Sequence, residues 1–230
     1  MKKIDDLQTH GLKLIQDQAR FCFGSDSVEL ANFADVSKVD TVADLGAGNG
    51  IISILLAGKR GAKVVAIEIE GEAAALAKEN IKLNNLSDKI ELIVEPMQSA
   101  AKRLKQQISV GTRGGISAVV TNPPYFKLGS GQMREGAEAA RHEVFINQEQ
   151  LVEAAADLLT TGGRFFVIYP TSRLAELVAA CSRHSLEAKE IVLLNTLDRP
   201  PHLFLLKCVK NAKVGLKISI RQMKNFGMGE

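Results

Sequence analysis

The chain alternates short apolar runs with segments of helical pattern along most of its length. Five runs rich in Val, Ile and Ala have the length of strands, and they lie at 41–48, 63–70, 89–95, 115–122 and 163–170. Because these runs are apolar at nearly every position, they predict a sheet that is buried on both faces. Such sheets have parallel strands joined by crossover helices.

Helical patterns lie between and after these runs, at 51–59, 71–84 and 172–184. In the last segment Leu174, Leu177, Val178 and Cys181 follow the i, i+3, i+4, i+7 spacing. This spacing predicts a single buried helix face. Cys181 is therefore predicted to be a core residue rather than a reactive thiol.

Two further apolar runs, 186–195 and 201–209, lie too close together for a helical crossover between them. They predict an antiparallel pair at the end of the fold. The intervening "DRPPH" at 198–202 is predicted to make the turn, and "RQMKNFGMGE" at 221–230 to be a loose tail.

Length and composition favour a single soluble α/β domain in the cytoplasm. The chain has 230 residues, and its three cysteines are odd in number and widely spaced, which argues against a disulfide framework or a cysteine zinc site. The four histidines have no metal-ligand spacing. Four of the first ten residues are charged, where a signal peptide would need its apolar core, and no apolar run approaches about 20 residues, so no membrane segment is expected.

The charge is concentrated at the C-terminal end of the chain. Net charge is only +3, but residues 203–230 hold six basic residues against one acidic residue. This asymmetry predicts contact with phosphate groups, with Lys213, Lys217 and Arg221 as candidates. The alternative is a solvated edge strand that its lysines protect from aggregation.

"DLGAGNG" at 44–50 is the first motif that points to a ligand. Gly46, Gly48 and Gly50 follow a predicted strand and precede a helix, where glycines let backbone amides approach a ligand closely. Glu68 ends the next strand, where its carboxylate could accept hydrogen bonds from both ribose hydroxyls. The spacing predicts a nucleoside-bearing cofactor, and a purely structural glycine turn is the alternative.

"TNPPYF" at 121–126 ends the fourth apolar run with two prolines and two aromatic rings. Neither proline has an N–H for a sheet, and each restricts the residue before it. Alone, this stretch would be explained by a proline turn.

Together, "DLGAGNG", Glu68 and "NPPY" resemble the Rossmann-like S-adenosylmethionine-dependent methyltransferases that modify amino nitrogens. The resemblance covers roughly residues 20–210. It implies an α/β fold with a seven-stranded, mostly parallel sheet, an antiparallel last strand and helices on both faces. The chain would then be one methyltransferase domain, with a cofactor-covering segment at about 1–35, a core at about 36–210 and a basic segment at about 211–230.

The same resemblance implies which residues contact S-adenosylmethionine, whose product is S-adenosylhomocysteine. Asp44 and the glycines would hold the methionine end, and Glu68 would hold the ribose. "VEPMQ" stands where the family often has an aspartate, so Glu95 is a candidate adenine contact and Met97 a candidate apolar wall. The full expected set is Asp26, Asp44, Gly46, Ala47, Gly48, Asn49, Gly50, Glu68, Ile69, Glu95, Met97 and Asn122.

The "NPPY" residues imply chemistry on a planar NH₂ group, whose lone pair is delocalised. Asn122 Oδ1 and the Pro123 carbonyl would accept both N–H bonds and stabilise the positive charge that builds on nitrogen. Proline rigidity at Pro123 and Pro124 would fix the acceptors. Tyr125 would stack on the target, and Phe126 would line its pocket. The reaction would need neither a general base nor a metal.

Two longer stretches, 20–33 and 122–144, are similar to the bacterial valine-tRNA (adenine-N6)-methyltransferases. In that family the first stretch places an acid, here Asp26, near the cofactor. The resemblance therefore implies methylation of adenine N6 in RNA, most simply tRNA. The alternatives are a protein glutamine-N5 methyltransferase acting on release factors, and a catalytically silent RNA-binding protein of the same fold.

The loop at 127–143 is predicted to bring donors to the mouth of the pocket. Lys127, Arg134 and Arg141 could contact the phosphate backbone, and His142 could touch the nucleotide. Ordinary ion pairs on a surface loop, and a structural histidine, are the alternatives. The sequence gives neither the target nucleotide nor the oligomeric state.

Overall fold

The computed structural model of the protein describes residues 2–17, 24–123, 147–196 and 199–223. Within these ranges the chain forms ten strands and six helices. The strands are β1 (Lys2–Asp6), β2 (Lys13–Asp17), β3 (Thr41–Leu45), β4 (Lys63–Glu68), β5 (Ile90–Val94), β6 (Ile116–Thr121), β7 (Leu159–Pro170), β8 (Leu186–Thr196), β9 (Arg199–Lys210) and β10 (Lys217–Gln222). The helices are α1 (Ser25–Phe33), α2 (Ile51–Arg60), α3 (Gly71–Leu83), α4 (Met97–Ser109), α5 (Gln148–Leu158) and α6 (Leu174–Arg183).

Eight of the described strands form one sheet, in the order β10-β8-β9-β7-β6-β3-β4-β5. Strands β5, β4, β3, β6 and β7 run parallel to one another, whereas β9 is antiparallel to both β7 and β8. This arrangement confirms the seven predicted strands and the antiparallel final pair. An eighth strand, β10, adds to the outer side of β8 in parallel.

The helices cover both faces of the sheet, as the continuous apolar runs predicted. One apolar cluster contains buried residues of α4, α5 and α6, and a second contains residues of α1, α2 and α3. Val42 belongs to the second cluster and its neighbour Ala43 to the first, because successive strand residues point to opposite faces. Both faces of the central strands are therefore core.

The predicted helices are also present. In α6, Leu177 and Cys181 are fully buried, and Leu174 and Val178 pack against the same cluster. This confirms Cys181 as a core residue. In the parts of the chain that the structure describes, no helix is long and apolar enough to cross a membrane.

Two predictions for the C-terminal part were wrong. Strand β9 begins at Arg199, so most of "DRPPH" is strand rather than turn. Its prolines are tolerated because pairing with β7 ends at Leu203 and the pairing with β8 is irregular beyond that point. Arg221 belongs to β10 and not to a loose tail, and residues 224–230 lie outside the described residues.

The N-terminal strands β1 and β2 form a separate antiparallel hairpin that lies against α3. Two asparagines one helical turn apart, Asn80 and Asn84, bind the backbone of β2 as a neighbouring strand would. Asn80 Oδ1 accepts from the Ile15 N–H at 2.6 Å, and Asn84 Oδ1 accepts from the Lys13 N–H at 2.8 Å. Their Nδ2 groups donate back to the carbonyls of the same two residues.

Candidate active site

The polar residues that the motifs singled out follow neighbouring parallel strands. Asp44 lies near the end of β3, Glu68 ends β4, and Asn122 follows β6. Because parallel strands end at a common edge, these residues share one edge of the sheet. The crevice between β3 and β6 is a topological switch point, since the chain runs outward from β3 to β5 and returns to the other side of β3 at β6. Ligands bind at such crevices in open α/β sheets.

Hydrogen bonds to β4 and within the loop hold the glycine loop at 46–50. The amides of Gly46 and Ala47 both donate to the Ile67 carbonyl, at 2.9 and 3.0 Å, and the Gly50 amide donates to the Ala47 carbonyl. The Gly48 amide donates to Glu68 Oε2 at 2.7 Å. These four donors already have acceptors, and a close approach of the loop to a ligand stays a prediction.

What Gly46 and Gly48 provide is clearance beside the crevice. Their φ angles are +74° and +57°, a region that favours glycine, and a Cβ at either position would enter open space. Gly50 also has a positive φ, +85°, and a Cβ there would make an ordinary contact with Ala77 of α3 at 3.4 Å, so its backbone conformation and not lack of space favours glycine. Gly46 and Gly48 leave room for a ligand, whereas Gly50 supplies the left-handed turn that precedes α2.

Asn49 and Ala47 complete the loop. Asn49 Oδ1 accepts from the Ile51 amide at 3.3 Å, and its carbonyl accepts from Asn80 Nδ2 at 3.0 Å. The buried Ala47 belongs to the second apolar cluster. Through these contacts, Asn49 and Ala47 fix the loop to α3 and to the apolar core.

Glu68 accepts three hydrogen bonds from backbone amides. Its Oε2 binds Gly48, and its Oε1 accepts from Ile69 and Glu70, each at 2.8 Å. The side chain is almost fully buried, at 8% exposure. Each carboxylate oxygen has two lone pairs, so the single bond at Oε2 leaves that oxygen capacity for a further donor. A ribose hydroxyl is a donor of the required kind.

Asp44 is fully buried, and its carboxylate is only half satisfied. Oδ2 accepts from the Ser53 hydroxyl at 2.7 Å, whereas Oδ1 has no hydrogen-bond partner among the described residues. Burial raises the pKa of the Asp44 carboxyl to about 7; the Ser53 hydrogen bonds oppose that shift and the Glu68 charge adds to it. A cationic group near Oδ1 would stabilise the ionised form, as the ammonium group at the methionine end of S-adenosylmethionine could.

The other predicted cofactor contacts, Glu95, Met97 and Ile69, have different surroundings from one another. The Glu95 carboxylate binds the guanidinium of Arg103, with Nε at 3.0 Å from Oε1, so it already has a charged partner. Met97 is 7% exposed and packs in the first apolar cluster. Ile69 is 38% exposed beside Glu68 and offers an apolar surface at the carboxyl edge.

Asn122 is half-buried at the end of β6 and touches α1. Its Nδ2 donates to Ser27 Oγ at 2.9 Å and to Asp26 Oδ2 at 3.2 Å. The strand just before it is fixed, because the Thr121 hydroxyl donates to the Leu45 carbonyl at 2.8 Å. Pro123, the next residue, is also among the described residues. Asp26, predicted to lie near the cofactor, thus contacts the motif residue itself.

Several predicted site residues lie outside the described residues, and their roles stay predictions. These are Pro124, Tyr125, Phe126, Lys127, Arg134, Arg141 and His142.

The three basic candidates of the C-terminal segment are all exposed. Lys217 and Arg221 lie on β10, an outer strand of the sheet, and Lys213 lies in the connection before it. Arg221 Nη1 lies 3.8 Å from the carboxylate of Glu29 on α1. The edge strand that was the alternative interpretation is therefore present, and phosphate contact stays a prediction.

Sequence reasoning missed three residues that support the site: Ser27, Ser53 and Asn80. Each is buried and polar, and each binds a site residue that lies far from it in sequence or on another element. From sequence alone, a serine in the first turn of a helix would be interpreted as a residue that starts the helix. An asparagine near a helix end would be interpreted as one that ends it. Only the tertiary contacts reveal what they hold.

The chain is similar in sequence and in fold to known methyltransferases. Residues 23–181 match the family described as "Methyltransferase small domain". A tRNA1(Val) (adenine(37)-N6)-methyltransferase of Bacteroides thetaiotaomicron is 30% identical over 189 residues, which cover 80% of this chain and 73% of the relative. The enzyme of the same name from Photorhabdus laumondii is 28% identical over 211 residues, covering 90% and 83%.

Solved structures show the same fold. A predicted O-methyltransferase from Agrobacterium tumefaciens superposes with a TM-score of 0.64 at 22% identity, covering 87% of this chain and 88% of the other. The M. jannaschii tRNA m1G37 methyltransferase superposes with a TM-score of 0.64 at 23% identity, covering 92% and 57%. The chain belongs to the methyltransferase small domain family.

Proposed function

We propose that the protein is a cytoplasmic, S-adenosylmethionine-dependent methyltransferase that modifies the N6 amine of an adenine in tRNA. The observation that carries this proposal is the position of Asn122 and Pro123 at the switch point, next to the crevice bounded by Gly46 and Gly48. The relatives named tRNA1(Val) (adenine(37)-N6)-methyltransferase support adenine in tRNA as the acceptor.

The residues of the crevice fit S-adenosylmethionine. The Asp44 carboxylate, whose Oδ1 has no partner within the described ranges, suits the cationic methionine end, and Glu68 Oε2 suits a ribose hydroxyl. The open side of Gly46 and Gly48 leaves room for the body of the cofactor. When bound, the cofactor supplies an electrophilic methyl carbon on a positively charged sulfur.

Asn122 and Pro123 would act on the acceptor amine. The amide oxygen of Asn122 and the carbonyl of Pro123 would each accept one N–H bond of the adenine N6 group. With both hydrogens held, the nitrogen lone pair is turned out of conjugation with the ring. The two oxygens also stabilise the positive charge that grows on nitrogen during transfer, a preorganised electrostatic effect.

RNA would be held by exposed basic residues outside this crevice. Lys213 and Lys217 carry exposed cations at one end of the sheet, and backbone phosphates are their natural partners. The predicted contacts from Lys127, Arg134 and Arg141 would add to this surface. These contacts position the RNA without reading its sequence.

A transfer assay with several acceptors tests this function. Radiolabelled S-adenosylmethionine is incubated with the protein and, separately, with bulk tRNA, rRNA, DNA and a release factor, and labelled nucleic acid is digested to nucleosides. Label in N6-methyladenosine from tRNA is the expected result, and the Asn122→Ala variant controls for contaminating activity. Label in protein would identify a glutamine methyltransferase, and RNA retention without label would indicate a silent RNA-binding protein; either result contradicts the proposal.

A further inference from the structure

The amide group of Asn122 is held from one side by the first turn of α1. Two acceptors for its Nδ2, Ser27 Oγ and Asp26 Oδ2, lie on that helix at 2.9 and 3.2 Å. An amide nitrogen carries two hydrogens, and two acceptors are present for them. Because the amide is planar, fixing Nδ2 against α1 also fixes the direction in which Oδ1 points, away from these acceptors.

Asp26 is the partner that decides this orientation. An ionised carboxylate can only accept hydrogen bonds, so an Asn122 amide turned by 180° would set two acceptors against each other. The Ser27 hydroxyl could serve either orientation, because it can donate or accept. The carboxylate is therefore the part of the contact that distinguishes nitrogen from oxygen.

The Asp26 carboxylate is itself fixed. Its Oδ1 accepts from the Ser27 amide at 2.9 Å. Gly24 leaves the space it occupies, since a Cβ there would lie 2.5 Å from the same oxygen.

Helix α1 is a firm support for this contact. Leu30 is fully buried in the second apolar cluster, and the Phe33 ring packs edge-on against Phe166 of β7, with ring centroids 6.0 Å apart. The helix is thus anchored to the core of the sheet through the turns that follow its first one. A contact made from such a helix can hold a side chain in one orientation.

We propose that Asp26 and Ser27 are positioning residues that lock the Asn122 amide with its oxygen presented to the methyl-accepting nitrogen. This inference rests on the proposed function. With the lock in place, the site offers an acceptor to an N–H donor. Without it, the amide can rotate and present its own N–H₂ to the amine, which repels the substrate nitrogen.

A double-mutant cycle separates positioning from a direct contact with the cofactor. Asp26→Asn keeps the shape but removes the obligate acceptor, and we expect single-turnover methyl transfer to slow by on the order of 10- to 100-fold. Affinities for S-adenosylhomocysteine and for RNA should be nearly unchanged. In the Asn122→Ala background the same substitution should have almost no further effect, because it acts through Asn122.

Ser27→Ala should give a smaller loss, because Asp26 alone still distinguishes the two amide orientations. Asn32→Ala is the matched control, since Asn32 is an exposed residue of α1 whose side chain binds Lys59. We expect this control to transfer methyl groups at the wild-type rate.

Two results would overturn the inference. Asp26→Asn could slow transfer by the same factor with and without Asn122, or it could weaken cofactor affinity without slowing the bound reaction. Either result would make Asp26 a cofactor contact rather than a positioning residue.

An acceptor-independent measurement keeps the test separate from the proposed function. In the wild-type protein, the Asn122 side-chain NH₂ should give distinct, slowly exchanging amide resonances by NMR, identified by their loss in Asn122→Ala. Asp26→Asn should accelerate their exchange, and Asn32→Ala should not. If the wild-type protein methylates nothing, this measurement alone decides the inference, and unchanged exchange in Asp26→Asn refutes it.

Discussion

Asp44 is a residue whose surroundings disfavour its own charge. Its carboxylate is fully buried with Oδ1 unpartnered among the described residues, and desolvation raises its pKa to about 7. The free protein therefore holds a proton on Asp44 at mildly acidic pH that the unfolded chain, with an ordinary value of 3.8, has released.

This difference predicts a pH dependence of stability. Below about pH 4 both states carry the proton, so Asp44 contributes nothing. Between pH 4 and about 7 the folded state binds more protons than the unfolded state, so the free energy of unfolding falls as pH rises. Above about pH 7 the full cost of the buried charge is present.

Urea unfolding of the wild type and of Asp44→Asn across this range measures the effect. The stability difference between the two proteins should shift in favour of the variant as pH rises from 4 to 7. A difference that stays flat with pH would show that Asp44 keeps an ordinary pKa.

The sequence identified Asp44, Glu68 and Asn122 because each stands at or near the end of an apolar run, and parallel strands bring such ends together. It could not identify Ser27 as a partner of Asn122, since the two are 95 residues apart and no local pattern links them. It also assigned the loop amides to a ligand, whereas Ile67 and Glu68 already accept from them.

At the scale of elements, α3 joins the N-terminal hairpin to the glycine loop. Asn80 is fully buried and binds both the Ile15 backbone and the Asn49 carbonyl of the loop, whereas Asn84 binds Lys13 at the exposed end. The hairpin and the loop thus share one side chain.

Asn80→Ala should therefore cost more than Asn84→Ala. Asn80→Ala leaves partly buried backbone groups of Ile15 and Asn49 without their partner, at up to about 1–3 kcal/mol for each unsatisfied group. In Asn84→Ala, water can replace the exposed hydrogen bonds to Lys13. Urea unfolding should show the larger loss for Asn80→Ala, and calorimetric titration with S-adenosylhomocysteine should show weaker binding for that variant alone. Equal losses in both variants would contradict a coupling of hairpin and loop.

Elements were predictable where their sequence was apolar. The seven strands of the core were found because they are apolar along most of their length, but β1, β2 and β10 were not. Among the described residues β1 and β2 pair only with each other, and β1 is mostly charged while β2 has just two apolar residues, Leu14 and Ile15. Strand β10 is exposed at all six positions. None of the three is a continuous apolar run, which is the pattern on which the prediction relies.

At the scale of the whole molecule, the basic C-terminal segment is expected to contribute long-range attraction to RNA. Each phosphate that a cation neutralises adds up to about one unit to the slope of log affinity against log salt. Lys213→Ala combined with Lys217→Ala should therefore flatten that slope by up to about two units. Arg221→Ala should add less than one unit, since Glu29 lies 3.8 Å from its guanidinium.

Filter binding of tRNA at several salt concentrations measures these slopes. Lys38→Ala with Lys63→Ala removes the same charge near the opposite edge of the sheet, and this pair should leave the slope unchanged. If both double variants flatten the slope equally, the attraction reflects net charge and not a surface at β10.

In the proposed function, Asn122 acts on the acceptor amine and not on the cofactor. The most direct test is the single-turnover rate of methyl transfer to tRNA adenine by Asn122→Ala, measured at saturating S-adenosylmethionine beside the affinity for S-adenosylhomocysteine. We expect a rate lowered by on the order of 10²-fold or more with cofactor affinity nearly unchanged. A near-normal rate, or a loss explained entirely by weaker cofactor binding, would contradict it.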